Sequence, residues 1–142
     1  ENRHHDRAPI GQMLIYHGLG SDLTQGSFIE HANAPGLSTA DTHAYKSMRA
    51  GGDLVRLTDP KAPPLNALDY TGLPPTVVFS AECDPLRDDG RRYCEQVKDA
   101  GGKARYVEEA GLIHGYLRAR HAGGTAARSF ENICKALSQL PK

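Results

Sequence analysis

Cysteine is scarce in this chain. Cys83, Cys94 and Cys134 lie far apart and form no CxxC pair. An odd count excludes a complete disulfide framework, and reduced thiols in the cytosol are the simpler reading. An excess of either charge is missing as well. Seventeen Lys and Arg balance seventeen Asp and Glu, and no basic run carries interleaved aromatics. Nucleic acid and anionic membrane are therefore poor candidates for a partner. No apolar stretch approaches the roughly 18 residues that span a bilayer, and no signal-peptide pattern opens the chain. His4, His5, His17, His31, His43 and His121 come without HExxH, Cys/His spacing or a carboxylate cluster, so no metal is expected. An initiator Met is lacking too. The polar opening "ENRHHDRAP" runs quickly into "MLIYHGL" and reads as the tail of a preceding element, so the chain is expected to begin mid-protein.

What is there suits one domain, since 142 residues with 39% hydrophobic content can bury a real core. Three segments read as strands: Gln12 to Tyr16, "QMLIY"; Thr76 to Ser80, "TVVFS"; and Ala104 to Glu108, "ARYVE". The first two are apolar without alternation, the mark of parallel strands covered on both faces. Helices are expected over about Leu86 to Ala100, stopped by Gly101-Gly102, and over about Thr125 to Leu140, with apolar residues at three- and four-residue spacing. A third, Ser38 to Ala50, starts at an N-capping Ser38 or Thr39. The Gly- and Pro-rich remainder of residues 18–73 reads as a long functional insertion. The order is β, insertion, β–α–β, loop, α, the closing portion of a doubly wound α/β sheet. The first strand would expose an unpaired parallel edge unless a neighbouring strand covers it.

Two residues stand where such sheets keep their chemistry, just beyond the carboxyl ends of strands. Asp84 follows "TVVFS" in "AECDPLRDDG", and His114 follows the next strand in "GLIHGY". One helix and one strand separate them, so they can emerge side by side. A carboxylate and an imidazole so placed form the orienting half of a nucleophilic relay. The bland alternative for Asp84 is an Asp–Pro turn or helix cap; for His114 it is a loop histidine. Asp88 reads as a charge at the helix start and Asp89 as solvated. Gly90 costs the helix on the order of 1 kcal/mol and predicts an irregular first turn. Cys83 reads as packing beneath the acid. His43 and Tyr45, with Leu19 and Phe28, could shape access to the site.

The run "LPPTVVFSAECDPLRDDG", followed by "GLIHGY" and a terminal helix, resembles the C-terminal half of the hormone-sensitive-lipase-like (bacterial type IV) esterases, which have the α/β-hydrolase fold. "GQMLIYHGLG" resembles the family's strand after the nucleophile helix, with His17 in place of Pro. "DPKAPPL" resembles its D-P-x-x-S-P-L loop, with Pro63 in place of Ser. The resemblance implies Asp84 as triad acid and His114 as triad base. Tyr116 and Leu117, just after His114, are expected to line the acyl or alcohol pocket, with a purely structural role as the alternative, and Leu19 in the insertion to shape substrate access. The Gly- and Pro-rich insertion with scattered apolar residues suggests a small, fairly apolar ester as substrate. No cofactor is implied. The family's G-D-S-A-G nucleophile and H-G-G-G oxyanion loop are both absent, and Ser21, Ser27, Ser38, Ser47, Ser80, Ser129 and Ser138 all fail the G-x-S-x-G frame. Residues 1–142 are thus expected to be the C-terminal segment of a single hydrolase domain, inactive alone. Its partner would be the N-terminal half, as a separate or cleaved chain, and a homodimer is allowed. Residues 74–142 would carry the acid and base. The alternatives on the same fold are a peptidase or amidase, and a non-catalytic receptor like the plant gibberellin receptors. Those receptors have lost the triad His, so His114 argues against the second.

Overall fold

The computed structural model describes residues 9–20, 22–51 and 63–140. The expected leading tail, Ser21 and most of "DPKAPPL" lie outside the described residues. Three strands, β1 (Gln12–Ile15), β2 (Thr76–Cys83) and β3 (Ala104–Ile113), form one parallel sheet in the order β1-β2-β3. Successive side chains of a strand point to opposite faces, and both faces are covered. Leu14, Val78 and Tyr106 pack with Tyr93 and Val97 of a helix α3, which is Arg87–Asp99. Met13, Ile15, Val77, Phe79 and Val107 face Ile133 and Ala136 of a last helix α4, Gly124–Ser138. That two-sided burial is why β1 and β2 read as unbroken apolar runs.

Gly90 breaks no turn of α3, which is helical from Arg87 onward. A Cβ built there would crowd the Ser80 hydroxyl and stand 2.8 Å from Val78 Cγ1. Glycine is used because the helix lies directly on β2, so the expectation of an irregular first turn is corrected. The strands β2 and β3 run beyond their expected ends at Ser80 and Glu108. Their pairing slips between Ala81↔Glu109 and Cys83↔Ile113, so β3 uses four residue steps where β2 uses two. The bulge turns on Gly111 at φ 70°, a left-handed conformation that glycine adopts without steric cost. Its N–H donates to Glu82 Oε2 at 2.6 Å. Bulges re-aim a strand, and this one delivers Ile113 opposite Cys83, one residue short of His114.

In the insertion, α1 (Ser27–Glu30) and α2 (Thr39–Arg49) are followed by a 3-10 turn at Pro64–Asn66. Ser38 is the N-cap of α2. Its hydroxyl accepts from Asp41 N–H at 3.0 Å, and Asp41 Oδ2 accepts from Ser38 N–H at 2.9 Å, a reciprocal capping box. Among the described residues no helix is long and apolar enough to cross a membrane.

Candidate active site

Asp84 and His114 meet. Asp84 is 1% exposed, and its Oδ2 lies 2.8 Å from His114 Nδ1. Its other oxygen, Oδ1, accepts the Leu86 N–H at 2.8 Å, closing a turn of the kind Asx residues form with the amide two positions on. The turn and the acid are therefore one arrangement, with an oxygen for each. The first turn of α3 starts immediately after, where Arg87 N–H donates to Asp84 C=O. The carboxylate sits at the mouth of the sheet and cannot swing away, because its backbone and both oxygens are engaged.

His114 is held by the chain on either side. Before it lies the β3 bulge; after it Gly115, at φ 77°, opens a second 3-10 turn, Tyr116–Ala119. Gly36 of the insertion lies against its main chain, since a Cβ at Gly36 would reach within 2.8 Å of the His114 carbonyl oxygen. The side chain is 24% exposed. With Nδ1–H given to Asp84, Nε2 remains to face a reacting group. The imidazole also meets the ring of Tyr16, centroids 4.8 Å apart at 62°, and Tyr16 in turn meets Tyr116 at 5.3 Å and 73°.

The remaining sequence-derived positions divide. Tyr116 adjoins the pair but is 4% exposed, packed with Ala81 and Ala126. Its hydroxyl donates to Ser129 Oγ at 2.9 Å, and Ser129 donates to Glu109 Oε1 at 2.9 Å. Burial pushes the Tyr116 phenol up to about 12. Leu117 is half-buried beside it. Leu19 is not brought to the pair: it is 1% exposed in the core with Val78, Tyr93 and Val97. Phe28 is likewise core, packed with Leu37 and Leu86, whereas Tyr45 is exposed. Cys83 is half-buried next to Asp84.

Asp89 corrects the sequence reading outright. It is fully buried rather than solvated, and its Oδ2 accepts the N–H groups of Leu19 (2.6 Å) and Gly20 (3.0 Å). Its Oδ1 has no partner among the described residues. Asp88 does more than charge the helix start. It accepts the Ser27 N–H at 3.0 Å, while Ser27 Oγ donates to Pro85 C=O at 2.7 Å. Burial alone would raise the Asp88 carboxyl, but hydrogen bonds from Ser27, Arg91 and Arg87 together hold it below its ordinary value. Arg87 donates to Glu30 Oε2 at 2.6 Å, and that bond raises the guanidinium's already high value. Ties at Pro85, Arg87, Asp88 and Asp89 thus bind Leu19, Gly20, Ser27 and Glu30 to the segment that follows Asp84. Among the described residues, no three His, Cys, Asp or Glu side chains converge as a metal site.

Known proteins share the fold. A family model described as alpha/beta hydrolase fold matches residues 1–118. Carboxylesterase NlhH of Mycobacterium tuberculosis is 38% identical over 112 residues, 76% of this chain and 34% of that protein. Carboxylic ester hydrolase LipN of the same organism is 34% identical over 129 residues, 91% of this chain and again 34% of that protein. Among solved structures, DphMB1 superposes with TM-score 0.83 at 30% identity, over 90% of this chain and 42% of that one. Carboxyl esterase 2 of Tuber melanosporum gives 0.79 at 27%, over 89% and 43%. The chain spans about a third of the length of the curated relatives it matches. With its parallel sheet and these matches, the chain belongs to the hormone-sensitive-lipase-like branch of the α/β-hydrolase fold family.

Proposed function

We propose that residues 1–142 supply the acid and base of a carboxylic ester hydrolase whose nucleophilic serine and oxyanion donors lie outside them. The observation that carries this reading is the 2.8 Å Nδ1–Oδ2 contact between His114 and a buried Asp84. Asp84 fixes the imidazole tautomer and stabilises the imidazolium. His114 Nε2 removes the serine proton as Oγ attacks the ester carbonyl. The same proton then goes to the departing alkoxide, and a water activated by Nε2 releases the acid. The names of the relatives, carboxylesterase and carboxylic ester hydrolase, support an ester as substrate. The serine-bearing half is inferred from the span shared with those relatives. The half-exposed apolar residues of β1, Gln12–Ile15, support it too: this strand pairs only with β2 among the described strands and suits a further parallel neighbour.

The test is turnover of p-nitrophenyl acetate by the intact protein, with a p-nitroanilide of the same acyl group alongside. Ester turnover that falls by about three orders of magnitude or more in His114→Ala and Asp84→Asn is expected. Equal rates in wild type and His114→Ala refute the assignment of the base. Anilide turnover that exceeds ester turnover refutes the ester as substrate class.

A further inference from the structure

We infer that Tyr16 is a positioning residue for His114, an inference that rests on the general-base reading above. The bond to Asp84 fixes one nitrogen of the imidazole but leaves the ring free to tilt about that contact. Tyr16 supplies the wall that stops it, 4.8 Å from the imidazole centroid.

Its placement is costly to the backbone. Tyr16 is the one non-glycine residue with positive φ (37°) among the described residues. A bulky side chain in that region is a true outlier, and such strain persists only where the surroundings enforce it. The enforcement is visible. Tyr16 N–H still donates to Phe79 C=O at 2.7 Å, one residue past the last β1–β2 pair. The chain therefore turns away from the sheet at Tyr16 with its amide still tied to β2.

The Tyr16 ring also rests on Tyr116, with centroids 5.3 Å apart. Tyr116 cannot yield, because its hydroxyl is anchored through Ser129 to the buried Glu109 carboxylate. An imidazole, a strained tyrosine and an anchored tyrosine thus stand in series beyond the ends of two strands, β1 and β3. The series fixes where Nε2 points.

The experiment compares Tyr16→Phe, Tyr16→Gly and Tyr16→Asn in the intact protein. Gly and Asn both tolerate left-handed backbone, so they remove the ring while suiting the fold, and the melting temperature of Tyr16→Gly shows that it is folded. Two readouts are taken: kcat and KM for p-nitrophenyl acetate, and the low-field proton resonance of His114 Nδ1–H, assigned by its loss in His114→Ala. Tyr16→Phe is expected within about twofold of wild type. Tyr16→Gly and Tyr16→Asn are expected to lose about 10- to 100-fold in kcat, the scale of an ångström-level misplacement, with KM within about threefold. Their Nδ1–H resonance should broaden or vanish. Wild-type kcat with an unchanged resonance in both ring-less variants overturns the inference. A loss confined to KM overturns it as well, making Tyr16 a pocket wall; a Phe variant as poor as Gly would assign the effect to the hydroxyl instead. A wild-type protein with no such resonance, or full activity in His114→Ala, would instead remove the general-base reading itself.

Discussion

Asp89→Ala should destabilise the protein by about 2 kcal/mol, and Asp89→Asn by distinctly less. Asp89 is fully buried, and one oxygen serves two backbone donors, at 2.6 Å from Leu19 and 3.0 Å from Gly20. Alanine orphans both amides. At about 1–3 kcal/mol for each unsatisfied donor the gross loss is about 2–6 kcal/mol. Removal of the oxygen that has no partner among the described residues returns about 1–3 kcal/mol by the same scale. The net is about 2 kcal/mol. Asparagine keeps an acceptor for both amides and gives up only the charge assistance, about 1 kcal/mol or less. Urea unfolding of the intact protein measures both, with the midpoint moving at constant m. Hydrogen exchange should quicken at the Leu19 and Gly20 amides in Asp89→Ala and stay slow in Asp89→Asn. An alanine variant within about 0.5 kcal/mol of wild type, or an asparagine variant worse than alanine, would refute the account of Asp89 as the anchor of this loop.

Three further outcomes follow from particular contacts. Gly90→Ala ordinarily gains about 1 kcal/mol in a helix, but here its Cβ meets Ser80 and Val78 on a rigid strand. Overpacking of about 1–3 kcal/mol should reverse the sign, and a higher melting temperature would contradict this. The Asp88 carboxyl is held below its ordinary value in the folded state, so its contribution is present at neutral pH and is lost as pH falls through that lowered value. Asp88→Asn should therefore cost stability at pH 7 and progressively less as pH falls below the ordinary carboxylate value, and a cost that does not change with pH would contradict it. Burial raises the Cys94 thiol to about 11, whereas Cys134 is exposed. A thiol reagent at pH 8 should label Cys134 first and Cys94 only on unfolding, as read by peptide mass.

Much of the site was legible because its signals are local. "DPLRDDG" after an apolar strand and "IHGY" after the next placed Asp84 and His114 by the rule that ligands gather at carboxyl strand ends. Unbroken apolar runs identified a sheet covered on two faces. What stayed hidden depends on distant chain. Asp89 sits among polar neighbours at a helix start, and nothing nearby tells that the amides of Leu19 and Gly20, some 70 residues earlier, return to it. Residues 109–112, "EAGL", look unlike a strand because they form a bulge, whose glycine was the single available cue. Tyr16 completes an apolar run and read as one more strand residue. Its left-handed backbone is imposed by the turn into the insertion, which no periodicity records.

The D-P-L-R-D-D-G stretch carries two separable duties, and the separation bears on how substitutions there should be read. Asp84 alone faces His114. Ser27 and Pro85, Glu30 and Arg87, Leu19 and Asp89 form ties that close the insertion onto the start of α3, while Gly90 lets that helix approach β2. The insertion also reaches His114 from outside, where Gly36 lies on its carbonyl. Asp84 and His114 are therefore gripped by the same segment from two sides, one through α3 and one through the loop before α2. Loosening Arg87, Asp88 or Asp89 frees that segment without touching the Asp84–His114 bond, so under the proposed function its effect on turnover is expected through placement and not through proton chemistry. On the same proposal, loss at Asp84 acts the other way, removing the tautomer control while the ties of the insertion stand.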